Sequence, residues 1–171
     1  MSAKTSLFNL LKKYNSPHVL EIGVAQGESA FAMLDKFSDL TYTGVDEWLR
    51  RVDMEHEANK IKNWSTQKHW DAIHDRVCKL LAPFGDRQQI VREDSKTALP
   101  KLEDLYDVIF VDGDHSYTGC LVDLQNSLPL LREGGSIWVD DLNLKSVKRA
   151  FDAFLDLHPD LTYTGCSIKH K

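Results

Sequence analysis

Two stretches of the chain place acids directly after apolar runs. Val108-Ile109-Phe110-Val111 leads into Asp112-Gly113-Asp114-His115, and Ile137-Trp138-Val139 leads into Asp140-Asp141. Carboxylates and imidazoles accept hydrogen bonds from a ligand and exchange protons with it, so such clusters are candidates for binding and proton transfer. Single acids close two further apolar segments: Asp46 follows Tyr42-Thr43-Gly44-Val45, and Asp94 lies three residues past Val91. A fifth stretch, Glu21-Ile22-Gly23-Val24-Ala25-Gln26-Gly27-Glu28, is rich enough in glycine to let backbone approach a ligand closely. A dinucleotide fingerprint would need glycine at 23, 25 and 28, whereas 25 is Ala and 28 is Glu. Glu28 also puts a negative charge near a helix N-terminus, where a pyrophosphate would be held. An NAD-type ligand is therefore repelled, and a ligand carrying a sulfonium and an ammonium is not.

The elements that must position these groups are legible from hydrophobic periodicity. Helical spacing at Leu7, Leu10, Leu11 and Tyr14 precedes a buried strand over His18–Val24. Helix, strand and helix follow over 30–37, 40–45 and 70–81, the last ended by Pro83 and Gly85. Then come a short strand at Ile90-Val91, a weak helix over 97–105 and a strongly apolar strand over 106–111. A helix over 117–131, closed by Gly134-Gly135, leads to a strand over 136–139, a helix over 147–155 and one last strand over 161–168. Strands alternating with helices, several of them continuously apolar, predict an α/β fold with a doubly wound, mostly parallel sheet covered on both faces. In such sheets ligands bind beyond the carboxyl ends of the strands, so one rim collects all the acids above. The hexapeptide Asp-Leu-Thr-Tyr-Thr-Gly occurs at 39–44 and again at 160–165, each time at a helix-to-strand joint, with no wider repeat.

The 171 residues are read as one domain, residues 1–171, long enough for a core without disulfides. A hydrophobic share of 42% and a charged share of 27% are those of a globular chain, which excludes a disordered or low-complexity protein. The net charge of -5, with basic residues scattered among acids, offers no footprint for a phosphate backbone. Nucleic acid is not expected as a partner. Cys78, Cys120 and Cys166 form no Cys-x-x-Cys pair and are odd in number, as expected of reduced thiols in the cytoplasm. No apolar run reaches transmembrane length, so neither export nor membrane insertion is expected.

With the motifs in this order, the chain resembles the class I S-adenosylmethionine-dependent methyltransferases over about residues 17–143, a Rossmann-like fold. The resemblance implies that S-adenosylmethionine is bound by the turn with Glu21, Gly23, Ala25 and Gly27, and that Asp46 accepts both ribose hydroxyls. It also implies that Asp94 and Ser95 meet the adenine, although Glu93 stands where the family often has Gly. Trp48, two residues past Asp46, is open to two readings, a wall of the adenine pocket or a hydrophobic anchor. Within that superfamily the stretches 106–117 and 130–141 are similar to the metal-assisted O-methyltransferases, most of all to the macrolide-sugar, macrocin-like branch and more distantly to the catechol type. This implies a divalent ion such as Mg²⁺ at Asp112, Asp140 and Asp141, with Asp112 also beside the cofactor. The catechol type has Asp-Asn where this chain has Asp140-Asp141, which makes Asn143 a substitute ligand. His115 matches the catalytic base of the macrolide-sugar branch, and the alternative is a hydrogen bond to cofactor or backbone.

The expected activity is methyl transfer to a hydroxyl of a small-molecule acceptor. The rival readings are a non-catalytic cofactor-binding domain and, less favoured, an N-methyltransferase, for which an Asn/Asp-Pro-Pro-aromatic signature is absent. Residues 47–64, charged and studded with aromatics, are read as a lid or as a solvated helix. The family's C-terminal hairpin is expected to be shortened, or its edge completed by a second copy in a homo-oligomer.

Overall fold

The computed structural model describes residues 3–49 and 66–171. The elements run α1 (Ala3–Leu11), β1 (His18–Ile22), α2 (Glu28–Lys36), β2 (Thr41–Asp46), α3 (Gln67–Leu81), β3 (Gln88–Arg92) and α4 (Ser95–Ala98). They continue with β4 (Tyr106–Val111), α5 (Tyr117–Ser127), β5 (Leu131–Val139), α6 (Lys145–Leu157), β6 (Leu161–Thr164) and β7 (Ser167–His170). All seven strands form one sheet in the order β3-β2-β1-β4-β5-β7-β6. The first five are parallel, and β7 enters antiparallel between β5 and β6.

Alternation along the central strands divides the core in two. Ile109 and Val111 of β4 pack with α4, α5 and α6 on one face, while Val108 and Phe110 pack with α1, α2 and α3 on the other. Burial on both faces is why β4 is apolar at nearly every position rather than alternating. The helices follow the same logic with a period near 3.6. Val147, Ala150, Phe151 and Phe154 form the buried stripe of α6, and Ile73, Val77 and Leu81 that of α3. Thr66 caps α3 by accepting from the amide of His69.

The chain runs outward from β1 through β2 to β3 and returns to β4 on the other side of β1. The strand order therefore reverses between β1 and β4, and in open α/β sheets the crevice for a ligand lies beyond the carboxyl ends of the strands at that point. The turns carrying Gly23 and Asp112 meet at that point.

Several boundaries differ from the sequence reading. The helix expected over 97–105 is the short α4, which Pro100 takes into a 3₁₀ turn over Leu99–Lys101. The strand expected over 161–168 is two strands, joined by Gly165-Cys166 with Gly165 at φ +59°, a positive φ that a two-residue hairpin turn asks of its first position. The edge is thus a short hairpin within one chain. Helix α5 stops at Ser127 because Pro129 takes the chain into a tighter 3₁₀ turn. Strand β5 begins at Leu131, five residues before the expected start, and a break in register against β4 accommodates Arg132–Gly135. Most of the segment read as a lid, from residue 50 onward, lies outside the described residues. Among the described residues no helix is long and apolar enough to cross a membrane.

Candidate functional site

The turn after β1 is built by contact with its neighbours. Gly23 sits at φ +90°, and a Cβ there would lie 2.1 Å from the carbonyl oxygen of Asp112, so no other residue fits. Ala25 adopts φ +48° and donates its N–H to Asp46 Oδ2 at 2.9 Å, while the N–H of Trp48 donates to Asp46 Oδ1 at 2.8 Å. Asp46 thereby fastens the β1 turn to the β2 turn. Each carboxylate oxygen has capacity for a second donor, as two hydroxyls would require.

Two expected cofactor contacts are corrected. Trp48 is 0% exposed; its indole N–H donates to the Ala25 carbonyl at 2.9 Å and its ring meets His74 edge to face. Of the two readings of Trp48, the structure has the anchor, because a positive φ of 42° turns the side chain inward. Glu21 is 1% exposed and its carboxylate accepts from the Tyr42 hydroxyl, so it joins β1 to β2 inside the sheet rather than facing the crevice. Burial and the neighbouring Glu21 push the Tyr42 hydroxyl well above the usual phenol range.

After β3, Asp94 caps α4 by accepting from the Lys96 amide at 2.9 Å. Ser95 turns its hydroxyl down to Asp123 Oδ1 at 2.6 Å, which leaves its backbone rather than its side chain toward the rim. Asp123, on α5, is an acid the sequence reading missed. Its signal was available: it lies three residues after Cys120 and directly before Leu124, on the apolar stripe of the helix.

The acids after β4 and β5 do converge. His115 Nε2 is 3.2 Å from Asp112 Oδ1 and 3.6 Å from Asp141 Oδ2. One ligand atom each from Asp112, His115 and Asp141 lie within 4.8 Å of one another. Asp141 reaches the cluster from a left-handed backbone, φ +52°, which brings its carboxylate round toward His115. Asp140 is not among the three, and its Oδ1 accepts from the Asp141 amide at 2.9 Å. Of the three acids expected to hold a cation, Asp112 and Asp141 thus lie beside His115 in a group that could hold one, and Asp140 lies outside it. Ser146 fixes the far side of the turn by donating to the His115 carbonyl at 2.6 Å. Ser116, bonded to the Gly119 amide, is the cap of α5.

The electrostatics of this cluster suit a cation. Burial raises the Asp112 carboxyl, the His115 hydrogen bond opposes the rise, and Asp140 and Asp141 add to it. Asp112 in turn raises His115, against the effect of burial. Two carboxylates ~4 Å apart repel by about 4 kcal/mol at an effective dielectric of 20, which a divalent ion would reverse. Carboxylate oxygens are the ligands a hard divalent ion takes, with waters completing its shell. The residues present therefore fit such an ion.

A seven-stranded sheet of this order, with a glycine turn and an acid at the ends of β1 and β2, defines a methyltransferase-type fold. The profile of a family described as a methyltransferase domain matches residues 20–142, and the chain belongs to that family. It is a class I S-adenosylmethionine-dependent methyltransferase. No curated protein sequence matches the chain. Among solved structures it is similar to CalS11, a TDP-rhamnose 3'-O-methyltransferase of calicheamicin biosynthesis, at 14% identity and TM-score 0.60, covering 98% of this chain and 77% of that one. It is also similar to the O-methyltransferase TomG from Streptomyces achromogenes, solved with S-adenosylmethionine, at 19% identity and TM-score 0.61, covering 95% and 70%. The S-adenosylhomocysteine-bound methyltransferase PaMTH1 of Podospora anserina has 17% identity and TM-score 0.66, covering 100% and 80%.

Proposed function

We propose that this chain transfers the methyl group of S-adenosylmethionine to the oxygen of a small-molecule hydroxyl, assisted by a divalent ion held at Asp112 and Asp141. The observation that carries the proposal is the convergence of Asp112, His115 and Asp141 at the rim where β1 and β4 diverge. CalS11 and TomG, O-methyltransferases by name, support oxygen as the acceptor atom. A net charge of -5, with basic residues scattered among acids along the sequence, supports a small acceptor over nucleic acid. Three free cysteines support a reducing compartment, the cytoplasm.

Methyl transfer is a displacement at the sulfonium carbon. The acceptor oxygen forms the new C–O bond, the C–S bond breaks with its electron pair going to sulfur, and the hydroxyl proton leaves to a base. A neutral hydroxyl is a poor nucleophile, and a divalent ion, when bound, lowers its pKa and orients it. His115 is the base: Asp112 makes its imidazole more basic, and Ser146 holds its backbone in place. The turn after β1, Asp46 and the Asp94 cap bind and orient the donor. The β6–β7 pair supplies the terminal hairpin, in short form, that the resemblance implies.

The test is transfer of label from S-adenosylmethionine to a panel of sugar, catechol and other hydroxyl acceptors, with Mg²⁺ or with a chelator. The expected result is transfer that chelation abolishes and Mg²⁺ restores, and a loss of about 10²- to 10⁴-fold in His115→Ala. Transfer indifferent to the chelator would remove the ion from the mechanism. Cofactor binding with no transfer to any acceptor would make the chain a binding module.

A further inference from the structure

Asp123 is the least comfortable residue in the core. It is 1% exposed in the middle of α5, and only one of its oxygens is satisfied. Oδ1 accepts from the Ser95 hydroxyl at 2.6 Å. Oδ2 has no hydrogen-bond partner and lies against the turn after β4, 3.1 Å from where a Cβ on Gly113 would stand. The charged groups that act on it come from both sides: Asp94 and Lys96 from the start of α4, and Asp114 from the β4 turn. On its own helix Cys120 is the titratable neighbour, its thiol pushed up to about 12 by burial and then by Asp123. None of these gives Oδ2 a donor.

A buried carboxylate with an orphan oxygen lowers stability, and a leucine in its place would pack on the same stripe. Conflicts between a local rule and the fold gather at functional positions. This one stands beneath two turns of the crevice: its satisfied oxygen holds the turn with Asp94 and Ser95, and its orphan oxygen abuts the turn with Asp112. We propose that Asp123 is a positioning residue for the methyl donor, setting from beneath the separation between the β3 turn that meets the adenine and the β4 turn beside the methyl group. The inference rests on the reading of Asp94 and Ser95 as adenine contacts. It adds that their placement depends on a side chain that never touches the ligand.

The probe is S-adenosylhomocysteine, titrated calorimetrically into the whole chain, with the thermal midpoint of each ligand-free variant measured in parallel. Asp123→Leu removes the acceptor, Ser95→Ala removes the donor, and Asp123→Asn keeps an acceptor for Ser95. We expect Asp123→Leu and Ser95→Ala each to weaken binding about tenfold, consistent with the loss of one ordering hydrogen bond of about 1.4 kcal/mol. The double variant should be no weaker than either single one, because both remove the same contact. Asp123→Asn should bind as the natural chain does, and no variant should lose binding in proportion to its thermal midpoint. Unchanged affinity in Ser95→Ala, or additive losses in the double variant, would overturn the inference while leaving cofactor binding intact. Failure of the natural chain to bind S-adenosylhomocysteine would overturn the reading of the site itself.

Discussion

The two halves of the rim solve the problem of exposed strand ends in opposite ways. On the β2–β3 side, the carboxylates of Asp46 and Asp94 accept backbone N–H groups, from Ala25 and Trp48 in one case and from Lys96 in the other. On the β4–β5 side, those of Asp112 and Asp141 meet no backbone donor among the described residues, and they face His115 and each other's charge. The carboxylates of the first half are already engaged by the fold. Those of the second are left with like charge between them, which the proposed ion would offset. Pre-organisation by amides suits a donor that must always be gripped alike, and a cluster of like charge suits a replaceable ion.

Substitutions should separate the halves. The largest effect is expected from Asp112→Asn or Asp141→Asn, which should lower Mg²⁺-dependent turnover by about 10²-fold or more while changing the affinity for S-adenosylhomocysteine little. Steady-state rates across a Mg²⁺ titration beside calorimetry would check this, and parallel losses in rate and affinity would dissolve the distinction. Next comes Asp46→Ala, expected to weaken cofactor binding by roughly 2 to 4 kcal/mol. Because Asp46 also holds two backbone amides, the same change should lower folding stability by about 1 to 3 kcal/mol, measurable by urea unfolding. A loss of affinity with no loss of stability would mean that the amides are satisfied otherwise.

Smaller still is the effect of Asp123→Asn on stability. Burial raises the Asp123 carboxyl from 3.8 to about 6, so the folded chain keeps a proton that the unfolded chain has released. The sign follows: this group's penalty is absent below about pH 4, grows as pH rises, and is complete above about pH 6. At about 1.4 kcal/mol for each pH unit between the two values, the upper figure is about 3 kcal/mol. Asn should therefore stabilise the chain by about 1 to 3 kcal/mol at pH 7 and by almost nothing at pH 4. Equal gains at both values would assign the effect to packing. The smallest expected effect is that of Asp140→Asn, which should cost activity less than tenfold, since Asp140 is turned to the Asp141 amide. A loss equal to that of Asp141→Asn would return Asp140 to the ion.

What the sequence made legible was the order of parts. Apolar runs located the strands, and the residue ending each run located Asp46, Asp112 and Asp140 on one rim. It did not disclose which way a side chain turns within a turn, because that depends on backbone angles imposed by neighbouring strands. Asp141 rather than Asp140 reaches His115, and Trp48 points inward, through positive φ angles at non-glycine residues. The repeated hexapeptide isolates the cause. In β2, Tyr42 is 2% exposed and Gly44 continues the strand; in β6, Tyr163 is 57% exposed and Gly165 turns the chain back. Six identical residues adopt different fates because one copy lies between two strands and the other at the sheet's edge, so pattern alone could not find the hairpin. Asp123 was missed because an acid on an apolar stripe resembles an interruption until the group above it is known.

The contact between Gly23 and the Asp112 carbonyl limits how this protein can diversify. A backbone bond from the Asp112 N–H to the Ile22 carbonyl locks the same two turns together, and one from the Gly23 N–H to the Val45 carbonyl ties the first of them to β2. A lineage that reshaped the β4 turn to admit a bulkier acceptor would shift the donor's seat with it, and each such step would pass through an inferior enzyme. New acceptor preferences are then gained more readily by replacing segments that overhang the rim than by editing the rim itself. In a saturation library, position 23 should show near-zero tolerance whatever residue stands at 112, because the atoms a side chain would meet there are backbone.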